Sequence, residues 1–197
     1  MRQFISGLIL GAGASQRLGP PKQLLPFRGT TLLGWVVQQA ERAANLDEVV
    51  VVLGRAADEI REQVDFGAAR VVENPVFTEG CASSYKAGLA AMNPETRALM
   101  ILLGDRPGIT PEVIDRLAEE WRGTESLISL CSYNGRTGHP MIFAQPMFEQ
   151  LAALHGDKAA WKLVDANAAL VQEVRFDLPF PDDINTAEDF ERITKTN

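Results

Sequence analysis

Residues 4–22 read FISGLILGAGASQRLGPPK, an apolar run followed by a loop of glycines and small residues. Phe4–Leu10 is short and almost continuously apolar, which is typical of a strand covered on both faces of a sheet. The small residues that follow allow backbone N–H groups to approach an anion, and Arg17 and Lys22 add positive charge. This stretch therefore predicts a buried first strand that leads into a phosphate-binding loop.

Apolar runs alternate with segments of helical periodicity along the rest of the chain. The predicted strands are Phe4–Leu10, Glu48–Leu53, Ala69–Val72, Ala98–Leu103, Leu127–Ser132, Met141–Phe143 and Val171–Phe176. The predicted helices are Thr31–Ala44, Ala57–Val64, Ser83–Met92, Pro111–Trp121, Pro146–Leu154, Lys158–Ala166 and Thr186–Ile193. This order predicts one α/β domain over residues 1–197, with three layers and a mostly parallel sheet.

Two local features lead to further structural expectations. The segment 132–145 carries two glycines and a proline, which predicts an inserted loop followed by a strand running the other way. Thr110 and Asp157 stand directly before predicted helices, and Thr and Asp are preferred N-cap residues. We therefore expect each of them to cap the helix that follows it.

The composition restricts the class of protein. A chain of 197 residues with 46% hydrophobic residues fits a globular domain rather than a disordered one. Its longest apolar run, around Leu99 to Leu103, is far shorter than the roughly 18 residues of a membrane span. A net charge of −7 argues against nucleic acid or an anionic membrane as the main partner. Cys81 and Cys131 lie far apart without a Cys/His cluster, which predicts two buried thiols, no structural zinc and a cytoplasmic location.

The glycine-rich loop matches one of three nucleotide-binding signatures. The dinucleotide fingerprint requires glycine where Gln16 stands, and the P-loop requires Ser or Thr after its lysine, where this chain has Gln23. The nucleotidyltransferase signature has a small-residue loop, Ser, Arg, an apolar residue, Gly, a short spacer and Lys. An ordinary tight turn accounts for the glycines but not for the cations on either side of Pro20-Pro21. The matching residues are Gly11 to Ala14, Ser15, Arg17, Leu18, Gly19 and Lys22.

The chain resembles the nucleotidyltransferase family of molybdenum cofactor cytidylyltransferases and guanylyltransferases, most closely the cytidylyltransferase-like branch. Besides the loop, the resemblance rests on Asn74, Gly80 to Ser84, Gly104 to Pro107, Gly138 to Pro140, Gly156 to Lys158 and Asp183 to Asp189. It implies a Rossmann-like, GT-A-like nucleotidyltransferase domain. Its nucleotide-binding half would cover about residues 1–110 and its acceptor-binding half about residues 111–197.

A metal site is expected at the carboxyl end of the fourth predicted strand. Asp105 follows the apolar run Ala98–Leu103, and open α/β sheets bind ligands at that edge. A carboxylate there either caps a turn or holds Mg²⁺, which prefers hard oxygen ligands. The resemblance implies Asp105 and Asp183 as metal ligands. Asp182 is an adjacent alternative, and Asn185 stands where relatives commonly carry aspartate.

The resemblance implies that the first loop and residues 74–84 enclose the nucleotide. Ser83 and Ser84 have an alternative role as helix caps, because serine is a preferred cap. Alanine at position 12 is typical of the cytidylyl branch and favours CTP over GTP. The implied nucleotide-binding residues are Leu10, Gly11, Ala12, Gly13, Ala14, Ser15, Lys22, Asn74, Gly80, Ser83 and Ser84.

The acceptor side is less well defined. The resemblance implies His139, Asp157 and Lys158 as acceptor-binding residues, although a histidine that orders its own loop is the alternative for His139. Relatives often continue Gly-Asp with a small residue, glycine and arginine, whereas this chain has Lys-Ala-Ala. Trp161 is expected in the core.

The expected reaction is attack of an acceptor phosphate on the α-phosphorus of CTP with release of pyrophosphate. A phosphate monoester is largely dianionic at pH 7, so no general base is needed, and Arg17, Lys22 and Asp105 are the expected catalytic residues. The resemblance implies molybdopterin as acceptor and transient contact with a molybdoenzyme. Use of GTP or another triphosphate, a sugar-phosphate or alditol-phosphate acceptor, and a non-catalytic delivery protein are the alternatives.

Overall fold

A computed structural model describes residues 2–13, 20–157 and 159–195. In that part of the chain seven strands form one sheet in the order β5-β4-β1-β6-β8-β7-β9. The strands are β1 (Phe4–Gly11), β4 (Glu48–Leu53), β5 (Arg70–Glu73), β6 (Thr96–Leu103), β7 (Ile128–Tyr133), β8 (Arg136–Ala144) and β9 (Val171–Phe176). A small hairpin of β2 (Pro26–Phe27) and β3 (Thr30–Thr31) lies outside it.

Helices cover both faces of the sheet. They are α1 (Leu32–Arg42), α2 (Ala57–Gln63), α3 (Cys81–Ala91), α4 (Pro111–Thr124), α5 (Phe148–Ala153), α6 (Ala159–Ala166) and α7 (Ala187–Lys195). One core cluster joins the sheet to α1, α2 and α4, and a second joins it to α3, α5 and α6. The three-layer architecture expected from the sequence is confirmed, because strands buried on both faces need helices on both sides.

The segment 132–145 differs from the expectation of an inserted loop. Strand β7 turns directly into β8 through Asn134 and Gly135, both with positive φ (47° and 86°). Two such residues make a tight hairpin turn. The expected reversal is confirmed, because β8 pairs antiparallel with both β6 and β7. Gly138 and Pro140 were misread as loop residues because they lie inside the largely buried strand β8.

The parallel strands β4, β1 and β6 bring their carboxyl ends together. Leu10 pairs with Leu103 in β6 and with Val52 in β4. The N–H of Gly104 donates to the carbonyl of Leu10, so the loops after β1 and β6 leave the sheet side by side. In the part of the chain that the structure describes, no helix is long and apolar enough to span a membrane.

Candidate active site

Lys22 is held at the carboxyl edge of the sheet by a 3₁₀ turn, Lys22–Leu24. The buried side chain of Gln23 donates from Nε2 to the carbonyls of Gly11 (2.6 Å) and Gly13 (3.1 Å). Since those glycines end β1 and begin the loop, this amide fastens the turn to the loop. The lysine is thereby aimed at the neighbouring strand end.

The Lys22 ammonium joins three oxygen atoms from two other segments. It donates to Asp105 Oδ2 (2.5 Å), to Asn185 Oδ1 (3.1 Å) and to the carbonyl of Ile184 (3.1 Å). The Lys22 and Asp105 side chains are 13% and 21% exposed. The N–H of Ile184 donates to the carbonyl of Asp105, so the two loops are also joined through the backbone. The predicted convergence of Lys22 and Asp105 is thus present.

Asp183 lies next to this cluster without contacting Lys22 in the hydrogen bonds described. Its Oδ2 accepts from Asn185 Nδ2 at 2.5 Å, and its Oδ1 is 3.7 Å from Arg106 Nη2. Because the Asn185 amide donates to Asp183, its carbonyl oxygen faces Lys22. The Lys22 ammonium is therefore shared by the side-chain oxygens of Asp105 and Asn185. Asp183 does not take part in this sharing but orients the side-chain amide of Asn185. Asp182 is directed elsewhere and forms an ion pair with Arg192.

The oxygen atoms around Lys22 are of the type that Mg²⁺ prefers. Within residues 2–13, 20–157 and 159–195, however, no three His, Cys, Asp or Glu side chains are placed to hold a metal by themselves. Mg²⁺ in nucleotide enzymes is commonly bound by one or two carboxylates together with substrate phosphates and waters. The donor set of Asp105 and Asn185 fits a cation of that kind, with the remaining positions taken by a nucleotide.

A cleft of about 680 Å³ opens beside this cluster. Five predicted nucleotide-binding residues line it together with Asp105: Leu10, Ala12, Gly13, Gly80 and Ser84. Arg55, Phe77 and Thr78 also line it and were missed by the sequence analysis. Arg55 follows β4, so the rule that ligands bind at strand carboxyl ends offered a signal for it.

Asn74 and Ser83 are buried behind the cleft wall. The Asn74 side chain is 1% exposed and donates to Ser83 Oγ (2.8 Å) and Ser84 Oγ (3.1 Å). Ser83 Oγ in turn donates to the carbonyl of Gly80 at 2.7 Å. This network orders the turn before α3 and accounts for Asn74 and Ser83 without a ligand. Ser84 alone of the three lines the cleft.

Asp157 contacts the start of a helix that the sequence analysis did not link to it. Its Oδ1 accepts from the backbone N–H of Cys81 (3.1 Å), the first residue of α3. The expected cap of α6 stays a prediction, because Lys158 lies outside the described residues. Gly80 has φ +99° and packs so closely on Gly156 that a Cβ would lie 2.7 Å from the Gly156 carbonyl carbon. Gly80 thus serves close backbone packing, and Asp157 closes one end of the cleft. Thr110 occupies the N-cap position of α4 but makes no side-chain cap hydrogen bond.

His139 is buried within the acceptor-side half. Burial, and then the positive charge of Arg106, lower the pKa of His139 to about 3, so the ring is neutral at pH 7. It packs edge-on against Trp161, with ring centroids 6.1 Å apart. This placement fits the loop-ordering role better than a charged contact to a phosphate.

Several predicted residues fall outside the described part of the chain. Ala14, Ser15 and Arg17 of the first loop and Lys158 of the acceptor side are among them. Of the two cysteines, Cys131 is buried and Cys81 is half-buried at the cleft wall, where burial raises the pKa of its thiol.

Comparison with known proteins places this geometry among nucleotide-transfer domains. A family model described as a MobA-like NTP transferase domain matches residues 7–172. The chain is 32% identical over 201 residues to the nicotine blue oxidoreductase of Paenarthrobacter nicotinovorans, covering 96% of each protein. It is 26% identical over 203 residues to the molybdenum cofactor cytidylyltransferase of Escherichia coli K12, covering 97% of this chain and 98% of that protein.

Two solved structures of one mycobacterial protein share the fold over nearly the whole chain. The structure of Rv0371c from Mycobacterium tuberculosis H37Rv has a TM-score of 0.89 at 37% identity, covering 99% of this chain and 100% of that one. A complex of Rv0371c with manganese has a TM-score of 0.85 at 35% identity, covering 98% and 100%.

Proposed function

Because the chain belongs to the family of MobA-like NTP transferase domains, we propose that it transfers CMP from CTP to a phosphate-bearing acceptor, a molybdopterin, and releases pyrophosphate. The observation that carries the proposal is the convergence of Lys22, Asp105 and Asn185 at the mouth of the cleft behind the glycine loop. A cation, hard oxygen ligands and exposed backbone amides are what a triphosphate requires.

Asp105 and Asn185 would hold Mg²⁺ together with phosphate oxygens of the nucleotide. The bound ion would neutralise charge on the phosphates and favour departure of pyrophosphate. The manganese complex of the M. tuberculosis relative supports a divalent cation in this family.

Lys22 would exchange partners when the nucleotide binds. In the structure its ammonium is held by Asp105, Asn185 and Ile184 at the cleft. A triphosphate entering the cleft offers more negative charge than one carboxylate, so the ammonium would turn to the phosphates and leave the Asp105 oxygen to the cation. The acceptor phosphate needs no general base, since it is largely dianionic at pH 7. The protein then acts by alignment and charge neutralisation.

Ala12, which lines the cleft, supports CTP as the nucleotide, because alanine at this position is typical of the cytidylyl branch that the chain resembles. The name of the E. coli relative, a cytidylyltransferase, supports CTP as well. GTP or another triphosphate and a sugar-phosphate or alditol-phosphate acceptor are the alternatives.

The cellular setting is part of the proposal. Cys81 and Cys131 are both free thiols, which supports a reducing, cytoplasmic location. A molybdopterin product would have to reach an apoenzyme, which implies transient contact with a molybdoenzyme.

One comparison favours a second function, the oxidation or reduction of nicotine blue. The chain is 32% identical to a nicotine blue oxidoreductase. The two functions differ in their products. We would incubate the protein with Mg²⁺, each of the four nucleoside triphosphates and an acceptor panel of reduced molybdopterin cofactor, sugar phosphates and alditol phosphates, and measure pyrophosphate.

Release that requires CTP and the molybdenum cofactor is the expected result. Release with another pair would correct the substrates. Failure of every pair, together with oxidation or reduction of nicotine blue in the presence of a redox cofactor, would refute nucleotidyl transfer.

A further inference from the structure

Buried polar atoms without partners are concentrated next to the proposed active site. In the described residues, five buried side-chain nitrogen or oxygen atoms have no hydrogen-bond partner. Three of them belong to neighbouring side chains, namely Arg106 Nε, Arg106 Nη1 and His139 Nε2. Buried donors are almost always satisfied, and those that are not often mark places where a ligand or ion completes the set.

The positive charge of Arg106 is poorly neutralised by its neighbours. Its guanidinium lies over the ring of Phe180, 5.2 Å from the centroid, and its side chain is 12% exposed. The carboxylate nearest to it, that of Asp183, is 3.7 Å from Nη2, which is beyond hydrogen-bond distance. His139 beside it is neutral. A buried arginine used for stability would be expected to make more hydrogen bonds than this.

Asp183 is the more exposed partner of Arg106. The Asp183 side chain is 41% exposed, against 12% for Arg106. One carboxylate oxygen of Asp183 is committed to Asn185 Nδ2, at 2.5 Å. The other oxygen faces the guanidinium loosely, so an incoming anion can take its place without breaking the bond to Asn185.

We propose that Arg106 binds the phosphate group of the acceptor substrate, and that Asp183 Oδ1 occupies this position when the acceptor is absent. The inference rests on the proposed function, and it names the residue that recognises the second substrate. Arg106 follows Asp105 in the chain, and Asp183 contacts the same Asn185 that meets Lys22. An anion at Arg106 is therefore held beside the cluster that would hold the nucleotide phosphates.

Competition between two anions for one guanidinium can be tested directly. We would titrate the protein with inorganic phosphate, using chloride at equal ionic strength as the reference, and follow arginine Nε–H signals by ¹H–¹⁵N NMR. The Arg106 signal is identified by its absence in Arg106→Gln. We expect phosphate to shift it, and we expect Asp183→Asn to tighten phosphate binding about tenfold, because a competing charge at short range is removed.

Asp182→Asn is the matched control. It removes an equal charge one residue away, from a side chain that pairs with Arg192 instead. We expect it to change phosphate affinity by less than about threefold, since separated exposed charges are screened. In turnover assays, Arg106→Gln should raise the KM for the acceptor at least about tenfold and leave the KM for CTP within about twofold. Arg136→Gln, which alters a second guanidinium that lies over the Phe180 ring, should change neither.

The inference is overturned if phosphate leaves the Arg106 signal unmoved, or if both aspartate variants tighten binding equally. These outcomes differ from failure of the proposed function. If the Arg106 signal responds as expected but CTP neither binds nor releases pyrophosphate, the nucleotidyl-transfer proposal fails and the anion site stands.

Discussion

Replacing Asp105 by asparagine separates the catalytic role of this carboxylate from a structural one. The substitution preserves shape and one oxygen atom while removing the charge that faces Lys22 at 2.5 Å. We expect kcat to fall about 1,000-fold, because a carboxylate that holds the cation contributes several kcal/mol to the transition state, and about 4 kcal/mol corresponds to three powers of ten.

The same change should affect folding and nucleotide binding little. Lys22 keeps its bonds to Asn185 and Ile184, and the asparagine oxygen can still accept from it, so removing the charge from this mostly buried pair should cost about 2 kcal/mol. That corresponds to a fall in Tm of about 4–8 °C, which leaves the protein folded at the assay temperature. Affinity for CTP in the presence of EDTA should stay the same or increase, since the ammonium no longer has a competing carboxylate.

Three measurements check this prediction. Pyrophosphate release gives kcat, thermal denaturation gives Tm, and calorimetry with CTP in EDTA gives the metal-free affinity. Asp182→Asn is the control and should retain activity within about threefold, because Asp182 pairs with Arg192. Full activity of Asp105→Asn, or loss of metal-free CTP binding with the fold intact, would refute the assigned role.

Three further predictions follow from the loop, the cleft wall and the buried histidine. Lys22→Ala should lower kcat/KM about 100-fold, far more than Lys158→Ala, and equal losses would argue against the loop assignment. Gly80→Ala should destabilise the protein by about 2 kcal/mol more than Gly29→Ala in urea unfolding. Both have positive φ, but a Cβ at Gly80 meets backbone at 2.7 Å whereas nothing lies within 4 Å at Gly29; equal costs would contradict this packing. The pKa of His139, lowered to about 3 in the folded protein, means that the unfolded chain binds the extra proton between about pH 6.5 and 3. The free energy of unfolding should therefore decrease as the pH is lowered through that window, by up to roughly 1.4 kcal/mol per pH unit, and His139→Phe should reduce this pH dependence.

Local pattern was sufficient for much of the architecture. Continuous apolar strands separated by helical segments predict a parallel sheet covered on both faces, and the structure has this sheet. In open α/β sheets, loops at the carboxyl ends of strands carry the site. This rule predicted that Lys22 and Asp105 lie at the same site, although they are 83 residues apart in the chain. The glycine-rich loop could be singled out because its small residues and two cations all lie within residues 11–22, and its binding of a nucleotide stays a prediction.

Side chains that serve a distant segment were the hardest to place from the sequence. Asp157 stands before α6, yet its Oδ1 accepts from the N–H at the start of α3, 76 residues earlier. Asn74 and Ser83 are implied nucleotide contacts whose buried side chains bond to each other, and their role in nucleotide binding stays a prediction. A residue type indicates which hydrogen bonds are available, and long-range packing selects the partner.

The order of residue types along the chain determined the layers of this protein and indicated the sheet edge that carries the candidate site and the anionic character of the proposed ligand, because periodicity and strand direction are local properties. Tertiary structure alone decided which oxygen atoms share the Lys22 ammonium. The Asn185 side-chain nitrogen donates to Asp183, and this bond directs the Asn185 side-chain oxygen toward Lys22. The Arg106 guanidinium is buried beside the Asp183 carboxylate, which is too far away for a hydrogen bond. Those choices depend on distances between segments far apart in the chain, which are set only when the core packs.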